Sequence, residues 1–260
     1  MLVRVLRLFC CLRRVYLITV DISFGFWDVT LVLVVTMQAM VVAYLLSPRW
    51  KVLALSLPLP FTTIVLSLGK PVDASNVLSL ATLFVYVSCV WFLYEKVKVH
   101  IVIAVVLSVL VYMFLGGVLV GIVPSTDDVF WMAIVGMFGL GSVLLRVLPK
   151  PSKPPYRTPL PLWKKLPTVF MVVCVLVMIK NHLGGFASLF PLLSTVGAYE
   201  VRHDLWILVR AVPVLMCSLT VLMAVTFLGQ HVWGVSGGLV AGWIVFLPII
   251  FWIQIYVRKV

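Results

Sequence analysis

Between Val99 and Val123 the chain reads VHIVIAVVLSVLVYMFLGGVLVGIV, without a single acid, lysine or arginine. A backbone run of that length and polarity must satisfy its own amides once it enters hydrocarbon, and only helices and closed barrels do so. Eight further apolar segments, near residues 26–47, 52–69, 76–95, 128–148, 166–180, 184–199, 205–228 and 232–257, fill most of the remaining chain. A crossing helix needs about 20 residues, so 52–69, 166–180 and 184–199 are short. Composition agrees. Of the 260 residues, 63% are hydrophobic and 11% charged, against roughly 45–50% and 25% in a soluble domain. The expected fold is an all-α integral membrane protein with about nine transmembrane helices.

The basic residues cluster outside those spans. Arg4, Arg7, Arg13 and Arg14 punctuate residues 1–25, and each would cost roughly 2.5–3.5 kcal/mol at the bilayer centre. This segment is expected to lie as a helix in the interface. It does not read as a signal peptide, because the arginines recur through the apolar run and no small-residue cleavage site follows. Residues 149–165 form a polar loop whose prolines forbid a regular helix. With Arg146, Lys150, Lys153, Arg157, Lys164 and Lys165 and no acid, it should face the cytoplasm. The net charge of +12 sits in short loops between greasy segments. Anionic lipid headgroups are therefore the expected partner, with a membrane-protein partner or a homodimer beside them; nucleic acid is not. Cys10, Cys11, Cys89, Cys174 and Cys217 have neither metal-ligand nor redox spacing.

Shifting the chain by 131 residues aligns its halves. Met40-Val41-Val42 falls on Met171-Val172-Val173, Arg49 on Lys180, Pro60 on Pro191, Asp73 on Asp204 and His100 on His231. The rare letters carry the alignment, since Val and Leu match anywhere in such a chain. The expected organisation is a four-helix unit at 26–124, a linking helix at 128–148, the basic loop, and a second four-helix unit at 166–257. If all nine segments cross, the second unit is inverted relative to the first, a plan common in transporters. The basic N-terminal segment then lies opposite the basic loop, against the charge rule. If the short proline-bearing segments re-enter instead, seven cross and the units are parallel. Nine crossings are expected, because they leave less backbone unsatisfied in lipid.

Pro191 interrupts GGFASLFPLLSTVGAYEV and frees a carbonyl one turn back. Such breaks are tolerated where protein or a cavity supplies a partner, so Pro191 and its counterpart Pro60 mark either kinked packing helices or, given their symmetry, a site between the two units. Asp73 and Asp204 precede long spans as helix caps or coupling acids. Arg210 lies inside a span, either snorkelling to a membrane face or facing the bundle interior, paired with Asp204 or Glu200 or holding an anion. Together Arg210, Lys180 and Arg49 would line a cationic path for a phosphate- or carboxylate-bearing ligand. His100 and His231 open matching spans as interfacial polar residues, and Gln38 bonds a neighbouring helix. Asp28 and Glu95 sit at span ends within reach of water. Gly116, Gly117 and Gly121, and Gly136, Gly139 and Gly141, give two adjoining spans small faces for close packing. No G-x-S-x-G, H-E-x-x-H, P-loop or acidic metal cluster occurs, so no catalytic residue, cofactor or metal is expected.

The runs GGFASLFPLLSTVGAYEV and WGVSGGLVAGWIVFLP resemble the GlpM-like family of small bacterial inner-membrane proteins. The resemblance covers the second half and only weakly the first, and this chain departs from the family by its double length and added span. It implies a protein of the bacterial cytoplasmic membrane with a link to exopolysaccharide production. The expected function is binding or moving a small or lipid-linked anionic molecule between the two units. The alternative is an accessory or scaffold subunit of an envelope polysaccharide or secretion complex. An intramembrane enzyme acting on lipids is disfavoured by the missing motifs.

Overall fold

The computed structural model describes residues 25–44, 57–149 and 162–259. The basic segment 1–25 (Gly25 apart), Arg49 and most of the 149–165 loop lie outside them. Every regular element among the described residues is helical. In order they are α1 (Phe26–Tyr44), α2 (Leu59–Leu68), α3 (Ala74–Trp91) running into a π turn (Phe92–Lys96), α4 (Ile101–Val120), α5 (Asp127–Val147), α6 (Leu162–Leu183), a 3-10 stretch (Gly184–Leu189), α7 (Leu192–Glu200) and α8 (Trp206–Lys259).

Five stretches are long and apolar enough to cross a membrane: Ala74–Lys96, Ile101–Val120, Asp127–Val147, Phe170–Leu189 and Trp206–Trp252. Large side chains on their outer faces, such as Phe114 and Val135 at 70% and 71% exposed, would aggregate in water. In acyl chains they are solvated. The chain is an α-helical membrane protein.

The longest of these stretches is folded on itself. Gly234, at φ 71° and ψ 176°, leaves the helical region in a way that only glycine takes readily. The arms 206–233 and 235–259 then run back to back. Side chains added at Gly238 would come within 2.5 Å of the Thr226 carbonyl and 2.7 Å of the Gln230 nitrogen, and one at Gly229 within 2.8 Å of the Gly238 Cα. Glycine is what lets two helix backbones touch in a membrane, where packing rather than water exclusion drives association. His231, in consequence, closes the first arm and does not open a span; its Nδ1 lies 2.8 Å from the Phe227 carbonyl.

Helix α3 is central, packing on α4, α5, α8 and the 3-10 stretch, while α1 packs on α2 and α6. The glycines of α4 and α5 serve different neighbours and do not join the two helices to each other. Gly116 faces Leu183 and Phe186, whereas Gly141 faces Met216, Cys217 and the Pro213 carbonyl. Gly117, Gly136 and Gly139 border open space.

Contacts between helix ends define two ends of the bundle. At one, Asp28, Ser67, Asn76, Lys180 and Gly185 converge. At the other, Trp91 meets Trp206, whose indole donates to the Pro149 carbonyl at 3.0 Å. The 184–200 stretch starts at the first end and finishes beside Tyr94, Lys98 and Arg202 at the second.

Candidate functional site

Two proline-started helices flank the site. Pro58 caps α2 at φ −81°, ψ 43°, and Pro191 caps α7 at φ −72°, ψ 53°. Pro60 sits inside the first turn of α2, where no backbone donor is needed. Pro191 is thus matched in role by Pro58, not by Pro60, which starts a helix and breaks none. Pro191 is buried and Pro60 half-buried.

Before Pro191 the α6 helix tightens into the 3-10 stretch, and its loosened carbonyls are taken up by side chains from the N-terminal helices. Asn76 Nδ2 donates to the Gly185 carbonyl at 3.2 Å and to Ser188 Oγ at 3.1 Å. Tyr112 donates to the Phe186 carbonyl at 2.7 Å, and Ser188 Oγ returns to Gly185 at 2.6 Å. Gly185 is obligatory: a Cβ there would overlap Ser75 Oγ and lie 2.8 Å from the Asn76 nitrogen. Asp73 holds this corner in place through a reciprocal cap. Its carboxylate accepts from the Ser75 and Asn76 nitrogens at 2.9 and 3.4 Å, and Asn76 Oδ1 accepts from the Asp73 nitrogen at 2.9 Å.

Beside this corner lies a buried ion pair. Lys180, near the end of α6, donates to the Asp28 carboxylate on α1 and, at 2.5 Å, to Ser67 Oγ on α2; Ser67 also hydrogen-bonds Asp28. Lys180 and Asp28 are 6% and 1% exposed. Charges persist at such burial only when paired, so α1, α2 and α6 are held at one point. Asp28 is therefore shielded, contrary to the sequence expectation of a span end open to water. Gln230 adds another tie. Its amide bonds both the nitrogen and the carbonyl of Val72, at 2.9 and 3.0 Å, fixing the α2–α3 corner against the α8 hairpin. Gln38 donates to the Leu57 carbonyl at 3.1 Å, and Trp243 Nε1 to Thr62 Oγ1 at 2.8 Å.

The sequence-derived residues divide between the two ends. Lys180 and Asp73 lie at one end, Lys180 in the ion pair with Asp28 and Asp73 in the cap that holds Asn76, while Pro191 starts α7 beyond the 3-10 stretch. Arg210 stands on α8 one turn from Trp206, at the opposite end, half-buried and without an ion pair to Asp204 among the described residues. Asp204 contributes its backbone to the turn before α8, its nitrogen donating to the Val201 carbonyl at 2.8 Å. The structure thus separates Lys180 from Arg210. Asp28, Ser67, Asn76, Tyr112 and Gln230 join the site only through the fold. For Asp28 a signal existed: an intramembrane lysine asks for an acid, and Asp28 is one of few acids inside an apolar segment. No protein-family model, curated protein or solved structure matches this chain.

Proposed function

We propose that the chain is a multi-pass protein of a bacterial cytoplasmic membrane, built from two GlpM-like units. In this reading it moves a small or lipid-linked anionic molecule along the contact between them. The observation that carries the reading is the Asp28–Lys180 pair, buried where α1 and α2 meet α6 and beside an interrupted helix. Ionisable residues inside a membrane bundle mark ion or substrate paths by default, and transporters place interrupted helices at the junction of their repeats. The crevice between Lys70, Asp73, Asn76 and Gly185 holds only about 20 Å³, room for roughly one water. This is a closed state, in which Lys180 exchanges Asp28 for the cargo on opening.

Nine crossings with an inverted second unit fit the contacts. α1 packs on α2 as α6 packs on α7, α1 and α6 pack on each other, and α4 touches α7 as α8 touches α2. The end with Lys96, Lys98, Arg146 and Arg202 is then cytoplasmic, and the end with Asp73, Asp127 and Asp128 external. A second reading, an accessory subunit of an envelope complex, is favoured by Gly136 and Gly139, which leave an open strip on α5 that would fit a helix of a partner or second copy.

The test is reconstitution of the full chain in liposomes, following fluorescent phosphatidylglycerol between leaflets and uptake of small organic anions. Movement of either cargo should exceed that of empty liposomes and fall on the order of tenfold or more in Lys180→Gln. A cysteine at Lys98 should react with an impermeant label only from the cytoplasmic side. Inactivity toward both cargo classes in well-folded protein would leave the accessory reading, and external labelling would reverse the orientation.

A further inference from the structure

At the end opposite the Asp28–Lys180 pair, Tyr94, Glu95, Lys98, Arg202 and His203 line an open crevice of about 380 Å³. Two unconditional cations face one carboxylate there. Three local features assemble it. Helix α3 widens into the π turn Phe92–Lys96, a rare element that recurs at functional sites. Lys98 follows in the left-handed region, at φ 64°, where a non-glycine residue is uncommon. Glycine would turn the chain there more readily, but it would bring no cation. Arg202 is steadied by the Tyr199 ring, its guanidinium 4.7 Å from the ring centre. The depth is informative as well. Trp91 and Trp206 meet edge to face at 5.3 Å, with Lys96 5.8 Å from the Trp91 ring. Tryptophans of this kind sit at the level of lipid headgroups.

We propose that this crevice binds a phosphate-bearing anion, with Lys98 and Arg202 as its cationic contacts and the Tyr94 hydroxyl as a donor. Arginine takes phosphate bidentately and lysine as a point charge. The phosphate belongs either to a phospholipid headgroup or to a free anion; the shared chemistry is the same. The site does not depend on the transport reading, since it shares no residue with the Asp28–Lys180 network.

The experiment uses the full chain in phosphatidylcholine nanodiscs doped with phosphatidylglycerol. Lipid retained after release is counted by native mass spectrometry, and thermal shift is measured in parallel with inorganic phosphate. Phosphatidylglycerol should be retained over phosphatidylcholine, and about tenfold more weakly in Arg202→Gln and in Lys98→Gly. Lys98→Gly removes the cation while easing the backbone, so weaker binding cannot be put down to misfolding. A thermal shift with inorganic phosphate that both variants lose, without selective lipid retention, makes the free anion the ligand. Wild-type behaviour of both variants in both arms overturns the proposal.

Discussion

Lys180→Met is expected to destabilise the protein by about 3–5 kcal/mol, the cost of stranding one partner of a buried ion pair. Asp28, 1% exposed, would keep only Ser67 and the Gly25 nitrogen as neutral donors and would recover part of the loss by taking up a proton. Asp28→Asn should cost a similar amount, because it strands the ammonium. The double variant, Asp28→Asn with Lys180→Met, should be more stable than the sum of the singles allows, since neither charge is then left unmatched. Unfolding of purified protein in mild detergent gives all four corners of the cycle. Additive single effects of less than about 1 kcal/mol would mean that the two groups are solvated and apart.

Gly185→Ala is the second large effect. The added methyl would overlap Ser75 Oγ and crowd the Asn76 nitrogen, a backbone atom at 2.8 Å. The 3-10 stretch must then move off α3, breaking the bonds from Asn76 to the Gly185 carbonyl and Ser188. Overpacking costs about 1–3 kcal/mol, and an orphaned buried carbonyl about as much again, so a loss of about 2–6 kcal/mol is expected. Gly197→Ala is the control. Nothing lies within 4 Å of a side chain there, and the helix should gain up to about 1 kcal/mol from the better helix former. Equal melting temperatures for the two alanine variants would contradict the packing described for Gly185.

Much of the architecture is legible in the chain because hydrocarbon imposes length and polarity directly. Ile101–Val120 follows from its uncharged run and Asp127–Val147 from an apolar run with charges only at its ends, and the break at Pro191 follows from a ring without a donor. What sequence does not disclose is which helix supplies the partner. Asn76 and Tyr112 satisfy the carbonyls of residues 185 and 186 from more than 70 positions away, and no hydropathy pattern encodes that pairing. Asp28 misleads for a related reason. A carboxylate in the first turn of a span looks solvated until a lysine from α6 closes over it. The glycines show the same limit: spacing marks Gly116 and Gly141 as close-packing residues, yet their neighbours are α6 and α8. Gln230 carries no local signal at all, since its role depends on the α8 hairpin folding back at Gly234. The equivalence of Pro60 and Pro191 fails because alignment counts letters, whereas the cap of α2 is set two residues earlier, at Pro58.

The carbonyls of the interrupted stretch are held by α3 and α4, and under the proposed function the two proposed units would part there for cargo to pass. A disulfide between cysteines at Asn76 and Ser188, whose Nδ2 and Oγ atoms form a 3.1 Å hydrogen bond, tests this most directly. It is introduced into a chain whose five native cysteines are replaced by serine. Movement of cargo in liposomes is then recorded before oxidation, after it, and after reduction. The expected result is arrest while the bond is closed and recovery when it is reduced. Cross-linked protein that still moves cargo at its original rate would contradict the proposed function.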